Sequence, residues 1–378
     1  MIYLDHAATS PLLPSVLKEM EAIQRQIFGN PSSLYTPAYE ARKILHISRA
    51  AIANRIGAQS DEIVFTSGGT ESNNLAILGA SRASRRGKHL IVGATEHHSV
   101  LYAAHALKKE GFRVTELACD ENGVYSPEAL RASIRPNTAL VSLHLANNET
   151  GVVEPIAEIG AITRERRIVL HCDAVAAFGQ IPIDVQALKI DLLSASAHKL
   201  GGPKGTGFLY VRNEISLVPL FFGGSQERGF RPGTENVPAI GGFAKALEHL
   251  PPRADSSARD LLESLLLAAI PGARVNGAGA ERLPNLLSVT FPGASGERLL
   301  AALSAQEIYA ATRAACASGE REPSHVLTSM GLSRAEADAT IRFSTGNSSK
   351  LSDMRITSNA IDFAYRNEKR TMNTELNN

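Results

Sequence analysis

The stretch Ser196-Ala197-His198-Lys199 follows the short apolar run Ile190-Asp191-Leu192-Leu193 and precedes the turn Gly202-Pro203-Lys204-Gly205. The apolar run predicts a buried strand, so Lys199 stands at the mouth of that strand. A lysine placed there is suited to form a Schiff base with a carbonyl cofactor, because burial and cationic neighbours favour the free amine. These residues alone leave the alternative of a surface lysine before a turn.

A glycine-rich turn follows a second strand-like run. Ile63-Val64-Phe65-Thr66 leads into Ser67-Gly68-Gly69-Thr70-Glu71-Ser72, and a helical pattern then extends from Asn73 to Ala80. Backbone N–H groups and a hydroxyl at the start of a helix form a binding site for phosphate. The alternative is an ordinary turn with a threonine cap and a glutamate in the first helical turn.

Two more strand-like runs end in residues that suit a flat, protonated ring. The run from Arg167 to Cys172 ends in Asp173, and a buried acid needs a partner such as a protonated pyridine nitrogen. The alternative for this acid is a carboxylate that caps a loop.

Thr95-Glu96-His97-His98 follows a further run, and a histidine there could stack on a ring and move protons. No third ligand at a suitable spacing accompanies the paired histidines, so the sequence predicts no metal site.

Ligands of open α/β sheets bind at the ends of the strands, where all four of these features fall. A lysine, a phosphate-binding turn, an acid for a pyridine nitrogen and a stacking histidine together indicate pyridoxal 5′-phosphate as the cofactor. No one of the four would suffice alone.

The sequence resembles the class I (NifS/IscS-like) cysteine desulfurases, which belong to the aspartate-aminotransferase group (fold type I) of pyridoxal phosphate enzymes. The matching segments occur in order from residue 1 to about residue 347. They are Tyr3 to Thr9, Phe28 to Ser33, Phe65 to Asn74, Thr95 to His97, Asn147 to Gly151, His171 to Ala174, Ser196 to Gly205, Arg231 to Thr234, Cys316 to Ser324 and Ile341 to Ser344. The resemblance implies an α/β fold with a mostly parallel seven-stranded sheet in a large domain, plus a smaller α+β domain.

The chain itself indicates where these domains divide. Strand-like and helical stretches alternate up to about Leu250, as in a mostly parallel sheet covered on both faces. Pro251-Pro252-Arg253-Ala254-Asp255 predicts a boundary. We therefore expect a large cofactor-binding domain at residues 15–250 and a small domain made of residues 1–14 and 251–368. The polar segment 369–378 is expected to be disordered.

The resemblance also implies roles for individual residues. Lys199 resembles the Schiff-base lysine, His97 the histidine that stacks on the ring and transfers protons, and Asp173 the partner of the pyridine nitrogen. The residues implied to bind the cofactor are Gly69, Thr70, His97, Asn148, Asp173, Ser196, His198, Lys199 and Thr234, the last lent by the neighbouring subunit of a homodimer. The residues implied to bind the substrate are Asn30, Asn148 and Arg342. For Arg342 there is an independent argument, because a planar guanidinium binds a carboxylate through two hydrogen bonds.

The chain has three cysteines, Cys119, Cys172 and Cys316. Without a leader segment, this number predicts a reducing compartment, here the cytoplasm, and no disulfide framework. Cys316 resembles the nucleophile of the family and lies among small residues, from Ala314 to Gly319. A lone cysteine is otherwise most often a small buried hydrophobe, which is the expectation for Cys172 within its strand.

The function implied by the resemblance is that of a pyridoxal phosphate-dependent cysteine desulfurase. It converts L-cysteine to L-alanine and a persulfide on Cys316. The persulfide sulfur then passes to a sulfur-acceptor protein for DNA phosphorothioation, iron–sulfur cluster assembly or tRNA thiolation. The first alternative is an aminotransferase or lyase of the same fold, which would not need Cys316. The second is a catalytically silent scaffold that would not bind the cofactor.

The chain departs from the family pattern at three places. Ala310-Ala311-Thr312-Arg313-Ala314-Ala315 replaces a segment rich in serine and glycine, so we expect the segment carrying Cys316 to be ordered and partly helical. Ala176 stands where a glutamine that would bind the hydroxyl of the cofactor ring is expected. The chain ends soon after Tyr365, without the longer tail by which housekeeping members meet the iron–sulfur scaffold protein. This weakens the expectation of a general iron–sulfur role and makes a specialised sulfur route, such as DNA phosphorothioation, an alternative.

Composition excludes some classes of partner. The formal net charge is +1, so nothing favours a direct nucleic-acid partner or a membrane surface. The sequence contains no run of 18 or more apolar residues that would predict a transmembrane helix.

Overall fold

The structure is a computed structural model that describes residues 1–312 and 322–376, with side chains to residue 370. Its strands are β1 (Ile2–Tyr3), β2 (Ile63–Thr66), β3 (His89–Gly93), β4 (Arg113–Leu117), β5 (Thr138–His144), β6 (Val169–Asp173), β7 (Leu192–Ser196), β8 (Gly207–Val211), β9 (Arg274–Val275), β10 (Leu286–Thr290), β11 (Ile308–Tyr309) and β12 (Thr340–Ser344).

The α-helices are α1 (Pro14–Gln26), α2 (Thr36–Ile56), α3 (Gly69–Asn74), α4 (Ala80–Ala83), α5 (His98–Lys108), α6 (Pro127–Ser133), α7 (Ile156–Glu165), α8 (Val237–Leu247), α9 (Ser257–Ala269), α10 (Gly296–Ser304), α11 (His325–Ser329), α12 (Arg334–Asp338) and α13 (Leu351–Leu376). A π-helical turn, Leu75–Gly79, joins α3 to α4, and short 3₁₀ turns occur at Ser60–Glu62, Ala197–Lys199 and Gln226–Gly229. Within the described ranges, no helix is both long and apolar enough to cross a membrane.

Seven strands form the central sheet in the order β2-β8-β7-β6-β5-β3-β4. All neighbouring pairs are parallel except the two made by β8, which runs antiparallel to both β2 and β7. The predicted mostly parallel seven-stranded sheet is therefore confirmed. The edge strand β4 carries exposed Arg113 and Glu116, and charges of this kind protect a sheet edge from pairing with another chain.

The central sheet is buried on both faces. Alternate residues of β2 enter two different hydrophobic clusters, since Ile63 and Phe65 join one and Val64 joins the other. Neighbouring residues of a strand point to opposite faces, so apolar layers cover both sides of the sheet. This explains why its inner strands appear in the sequence as continuous apolar runs rather than as alternating patterns.

The N-terminal strand packs with the C-terminal part of the chain. Strands β9, β10 and β12 form an antiparallel sheet, and β1 pairs in parallel with β11. Leu4 lies in the same buried cluster as Leu287, Phe343 and Ile361. This arrangement supports the smaller α+β unit, while the exact residue boundaries of the two domains stay a prediction.

Two local expectations differ from the structure. The backbone from residue 369 to residue 376 continues α13, although a disordered tail was expected there. Glutamate, lysine and arginine are good helix formers, so a polar composition did not end a helix that is packed upstream. The helix expected around Cys316 is absent at its start, because Ala311 pairs with the backbone of Arg342 instead. Strand pairing overrides the helix propensity of alanine here, and residues 313–321, with Cys316, lie outside the described residues.

Candidate active site

The carboxyl ends of five strands of the central sheet supply one pocket. Gly69 follows β2, His97 follows β3, Asn148 follows β5, Asp173 ends β6 and Lys199 follows β7. These strands run in the same direction, so their ends meet at one edge of the sheet. Arg342 on β12, in the antiparallel sheet of β9, β10 and β12, also lines the pocket. The predicted site residues that line it are Gly69, Thr70, His97, Asn148, Asp173, His198, Lys199 and Arg342.

The turn after β2 is tightly packed against the strand end of β6. Gly68 has a φ of 147°, which favours glycine. A Cβ added at Gly69 would lie 2.6 Å from Val175 Cγ2, so a larger residue would collide there. The first N–H groups of a helix have no partners within the helix, and α3 begins at Gly69. The turn therefore forms a close-fitting cradle at the N-terminal end of α3.

Ser196 lies behind this turn rather than on the pocket surface. It is buried, and its Oγ would be 3.7 Å from a Cβ placed on Gly68. Its position at the end of β7 is thus next to the glycine turn, and its role as a phosphate ligand stays a prediction.

Asp173 is buried at the centre of the pocket, where two neutral groups hold its carboxylate. The backbone N–H of Val175 donates to Oδ1 across 2.9 Å, and Asn73 Nδ2 donates to Oδ2 across 2.7 Å. The sequence did not single out Asn73. Its signal was its place in the first turns of the helix that follows the glycine turn.

His97 caps the N-terminus of α5, where its Nδ1 accepts a hydrogen bond from the Ser99 N–H across 3.1 Å. Burial lowers the pKa of His97; Asp173 acts in the opposite direction, and the charges of Lys199, His98 and His325 lower the pKa further. The ring is therefore neutral near pH 7, with Nδ1 acting as an acceptor.

The N-terminal segment holds the lysine turn in place. Ser10 Oγ donates to the Lys199 carbonyl across 2.9 Å, and the Ser10 N–H donates to the His198 carbonyl across 2.8 Å. Burial, followed by the charges of Lys199 and Lys204, lowers the pKa of His198 to about 4. His198 is therefore neutral at physiological pH and can act as a hydrogen-bond donor through only one ring nitrogen.

Arg342 is 2% exposed and lies on β12, where it faces the pocket. Its Nη2 donates to Asp5 Oδ1 across 2.7 Å, and its Nη1 donates to the Asn148 carbonyl across 3.0 Å. The buried Nε has no hydrogen-bond partner among the described residues. A guanidinium has five N–H donors, so Arg342 retains donors for a carboxylate.

The pocket-lining residue His144 belongs to a buried cluster with Glu96 and Glu154, and the sequence analysis did not predict this cluster. His144 lies between two buried carboxylates, with its Nδ1 2.8 Å from Glu96 Oε1 and its Nε2 3.3 Å from Glu154 Oε1. Burial alone would lower the pKa of His144, but the two carboxylates outweigh it and raise that pKa to about 10. Burial raises the pKa of Glu96. The only available signal was Glu96 itself, which directly precedes His97.

Two further predicted site residues, Asn30 and Thr234, do not line this pocket. Asn30 is exposed on the loop after α1, where its Oδ1 accepts from the Ser32 N–H across 2.9 Å. Thr234 is exposed on the loop before α8, which agrees with a ligand expected to act in a neighbouring subunit. Cys316 lies outside the described residues. The roles of all three stay predictions.

Two further points concern the chemistry of the site. Ala176 lines the pocket at the position where a glutamine was expected, so no side-chain donor is available there. In the parts of the chain that the structure describes, no group of three or more His, Cys, Asp or Glu residues is arranged to hold a metal ion.

Comparisons with known proteins agree with this geometry. The family model "Aminotransferase class-V" matches residues 2–356. The chain is 44% identical over 359 residues to the cysteine desulfurase IscS of Methanosarcina thermophila, covering 93% of this chain and 89% of that protein. The structure of SspA in complex with cysteine has a TM-score of 0.83 and 38% identity, covering 91% of this chain and 98% of that one. DndA from Streptomyces lividans has a TM-score of 0.75 and 36% identity, covering 90% of this chain and 99% of that one.

Proposed function

Because the chain belongs to the class-V aminotransferase family, together with cysteine desulfurases that it matches along nine-tenths of its length, we propose that its pocket binds pyridoxal phosphate and removes sulfur from L-cysteine. Desulfurase activity is the function that this relationship supports. The roles of individual residues, the persulfide on Cys316 and the identity of the sulfur acceptor are parts of the proposal.

The pocket residues fit pyridoxal phosphate at three separate points. The glycine cradle at Gly69 and Thr70, with Ser196 and His198 nearby, suits a phosphate because it offers backbone N–H and side-chain donors. Asp173, already held by two neutral donors, suits a protonated ring nitrogen. Lys199 lines the pocket and carries the primary amine that a Schiff base requires. The observation that carries the proposal is the meeting of these three groups at one edge of the sheet.

When bound, the cofactor would supply an electron sink for the bond changes at the substrate. The protein's residues would do the rest. Arg342 would bind the α-carboxylate of cysteine with its remaining donors and so fix the orientation of the substrate. Lys199 would move the α-proton, and neutral His97 would stack on the ring and carry a proton at Nε2.

Cys316 would be the nucleophile for sulfur. Its thiolate would attack the substrate sulfur, a carbon–sulfur bond would break, and a sulfur–sulfur bond would form on the enzyme. The carbon skeleton would gain a proton and leave as alanine. The persulfide would then pass to a sulfur-acceptor protein.

The residues that flank the segment carrying Cys316 bond to the pocket residue Arg342 and to the chain neighbour of the pocket residue Asn148, and this supports the assignment. Before the segment, the Ala311 N–H donates to the Arg342 carbonyl across 3.1 Å. After it, Ser324 Oγ donates to Glu149 Oε2, next to Asn148. Both ends are thus tied to residues beside the proposed substrate carboxylate.

The decisive experiment compares two cysteine variants on the cofactor-loaded protein. Cys316→Ala should abolish the release of sulfide from L-cysteine in the presence of a reductant, and it should abolish persulfide labelling. Cys119→Ala should leave both unchanged, because burial raises the pKa of the Cys119 thiol to about 11, so it is a poor nucleophile. If Cys316→Ala released sulfide at the wild-type rate, or if the protein transferred the amino group to a 2-oxo acid instead, the desulfurase assignment would fail.

We also expect the active enzyme to be a homodimer. Thr234 is exposed outside the pocket of its own chain, so it is available to a neighbouring one. Large apolar side chains are exposed on two segments, at Phe28, Leu34, Phe221 and Phe222, as in surfaces that pair. Sedimentation should show a dimer, and Thr234→Val should weaken cofactor binding without changing the sedimentation coefficient. A monomer with full cofactor occupancy and turnover would contradict this.

A further inference from the structure

Asp173 and His97 are joined by a continuous chain of hydrogen bonds through two residues that have no role so far. Asn73 Nδ2 lies 2.7 Å from Asp173 Oδ2 and 2.9 Å from Ser99 Oγ. Ser99 Oγ in turn lies 2.7 Å from His97 Nδ1. Asn73 is 1% exposed and Ser99 is 9% exposed, so water does not compete for these contacts.

The direction of each hydrogen bond follows from the chemistry of its groups. An ionised carboxylate only accepts, so the Asn73 amide must turn its NH₂ group, and not its oxygen, toward Asp173. The same NH₂ group has a second proton, which it donates to Ser99 Oγ. The hydroxyl oxygen of Ser99 is then an acceptor for Asn73, and its single proton is free to be donated to His97 Nδ1.

His97 Nδ1 therefore accepts two hydrogen bonds, one from the Ser99 hydroxyl and one from the Ser99 backbone N–H across 3.1 Å. A proton on Nδ1 would face both of these donors. The ring proton consequently lies on Nε2, and the neutral form of the imidazole is favoured.

We propose that Asn73 and Ser99 are positioning residues that use the charge of Asp173 to keep His97 neutral, with its proton on Nε2. The consequence for catalysis rests on the proposed function of His97, whereas the tautomer follows from these contacts alone. Asp173 thus acts on His97 in two opposite ways. Its charge through space favours the imidazolium, and its hydrogen-bond chain favours the neutral ring.

The other charged and titratable groups that face His97 are Lys199, His98 and His325. None of them is in the chain of hydrogen bonds, so variants of Asn73 and Ser99 leave their charges in place. A purely structural role for the two residues is the competing explanation, since Asn73 lies on α3 and Ser99 on α5, and their contact also joins these helices.

The test follows the ring nitrogens of His97 in the full-length, cofactor-loaded protein labelled with ¹⁵N-histidine, with His97→Gln used to identify the signals. The wild-type ring should show a protonated Nε2 and an unprotonated Nδ1. Ser99→Ala and Asn73→Ala should each move the titration midpoint of His97 to higher pH, and Ser99→Thr, which keeps the hydroxyl, should restore it. Ser142→Ala is the matched control, because it removes a buried serine hydroxyl 2.8 Å from His171 Nδ1 and should leave the His97 signals unchanged.

Activity provides a second measurement. In Ser99→Ala, kcat for alanine formation should fall roughly fivefold at the acid end of the pH profile, which is about the value of one hydrogen bond, and recover at higher pH. A merely structural contact would lower kcat equally at every pH.

An unchanged titration midpoint of His97 in Ser99→Ala would overturn the proposal. An unchanged titration midpoint in Asn73→Ala would show that the charge of Asp173 does not act on His97 through the hydrogen bonds. If Asn73→Ala does not fold, Ser99→Ala and Ser99→Thr still decide the role of the hydroxyl. A wild-type protein that makes no alanine from cysteine would refute the proposed function but leave the His97 titration result standing, so the two failures can be told apart.

Discussion

Arg342 and Asp5 form an ion pair that joins the C-terminal sheet to the first residues of the chain, with Arg342 Nη2 2.7 Å from Asp5 Oδ1. The same N-terminal segment holds the carbonyl of Lys199 through Ser10. The proposed carboxylate anchor and the proposed Schiff-base lysine are therefore positioned by one short stretch of backbone. Ala7 and Ala8 of the same stretch also line the pocket.

Loss of Asp5 should destabilise the fold, because it leaves the buried Arg342 cation without its counter-charge. Removing one partner of a buried ion pair typically costs about 3 kcal/mol, so Asp5→Ala should lower the free energy of unfolding by roughly that amount in urea titrations. Asp5→Asn, which keeps an acceptor, should lose less. Glu21→Ala is the control, because its ion pair with Arg25 is exposed and should contribute within about 0.5 kcal/mol. Equal effects of Asp5→Ala and Glu21→Ala would show that the buried ion pair contributes no more to the free energy of unfolding than the exposed one.

Substitution of Arg342 should separate substrate binding from cofactor binding. Arg342→Ala removes the proposed bidentate contact with the cysteine carboxylate, which is worth on the order of 1.5–3 kcal/mol, and should raise KM about ten- to a hundredfold. The affinity for pyridoxal phosphate, measured by the absorbance of the bound cofactor, should change little. Arg342→Lys should recover only part of the loss, because an ammonium lacks the planar fork. An unchanged KM in Arg342→Ala would point to another carboxylate anchor.

Lys199→Ala should abolish the covalent attachment of the cofactor. After borohydride reduction, the intact mass of the wild-type chain should increase by one cofactor, and the mass of Lys199→Ala should not. Lys204→Ala is a close control, because Lys204 is exposed five residues later and should still allow the mass increase. A labelled Lys199→Ala chain would assign the Schiff base to another residue.

The stability of the protein should depend on pH through His144. The pKa of His144 is about 10 in the folded chain and near 6.5 when unperturbed, so its stabilising contribution is full below pH 6.5 and is lost as the pH rises to 10. The difference in unfolding free energy between the wild type and His144→Gln should therefore shrink between pH 6.5 and pH 10.

His171→Gln provides the opposite case for this pH series. Burial lowers the pKa of His171 to about 4, so its linkage to stability appears only as the pH falls below 6.5. The difference in unfolding free energy between the wild type and His171→Gln should stay constant between pH 7 and pH 10. A His144→Gln difference that is equally constant over this range would mean that the buried cluster of His144, Glu96 and Glu154 is not charged as described.

Much of the site could be predicted because its reactive residues occur in short sequence segments directly after strand-like runs. Lys199, Asp173, His97 and the turn at Gly69 each follow a recognisable apolar run, and the parallel sheet then brings the ends of those runs to one edge. The partly helical segment expected around Cys316 does not include Ala311, and residues 313–321 lie outside the described residues. A propensity scale does not include the backbone hydrogen bonds that Ala311 makes with Arg342, more than thirty residues away in the sequence.

The sequence by itself determined the α/β fold class and predicted half of the residues that line the pocket, because apolar periodicity and local motifs depend on neighbours along the chain. Only the tertiary structure decided which side chains hold those residues in place. Asp5 binds Arg342 from 337 positions away, Asn73 joins Asp173 to Ser99, and Glu96 and Glu154 enclose His144. Such pairs leave no spacing or composition signal, since the chain can bring any two distant residues together. The protonation of a buried group depends on those partners, and so it is fixed only when the chain is folded.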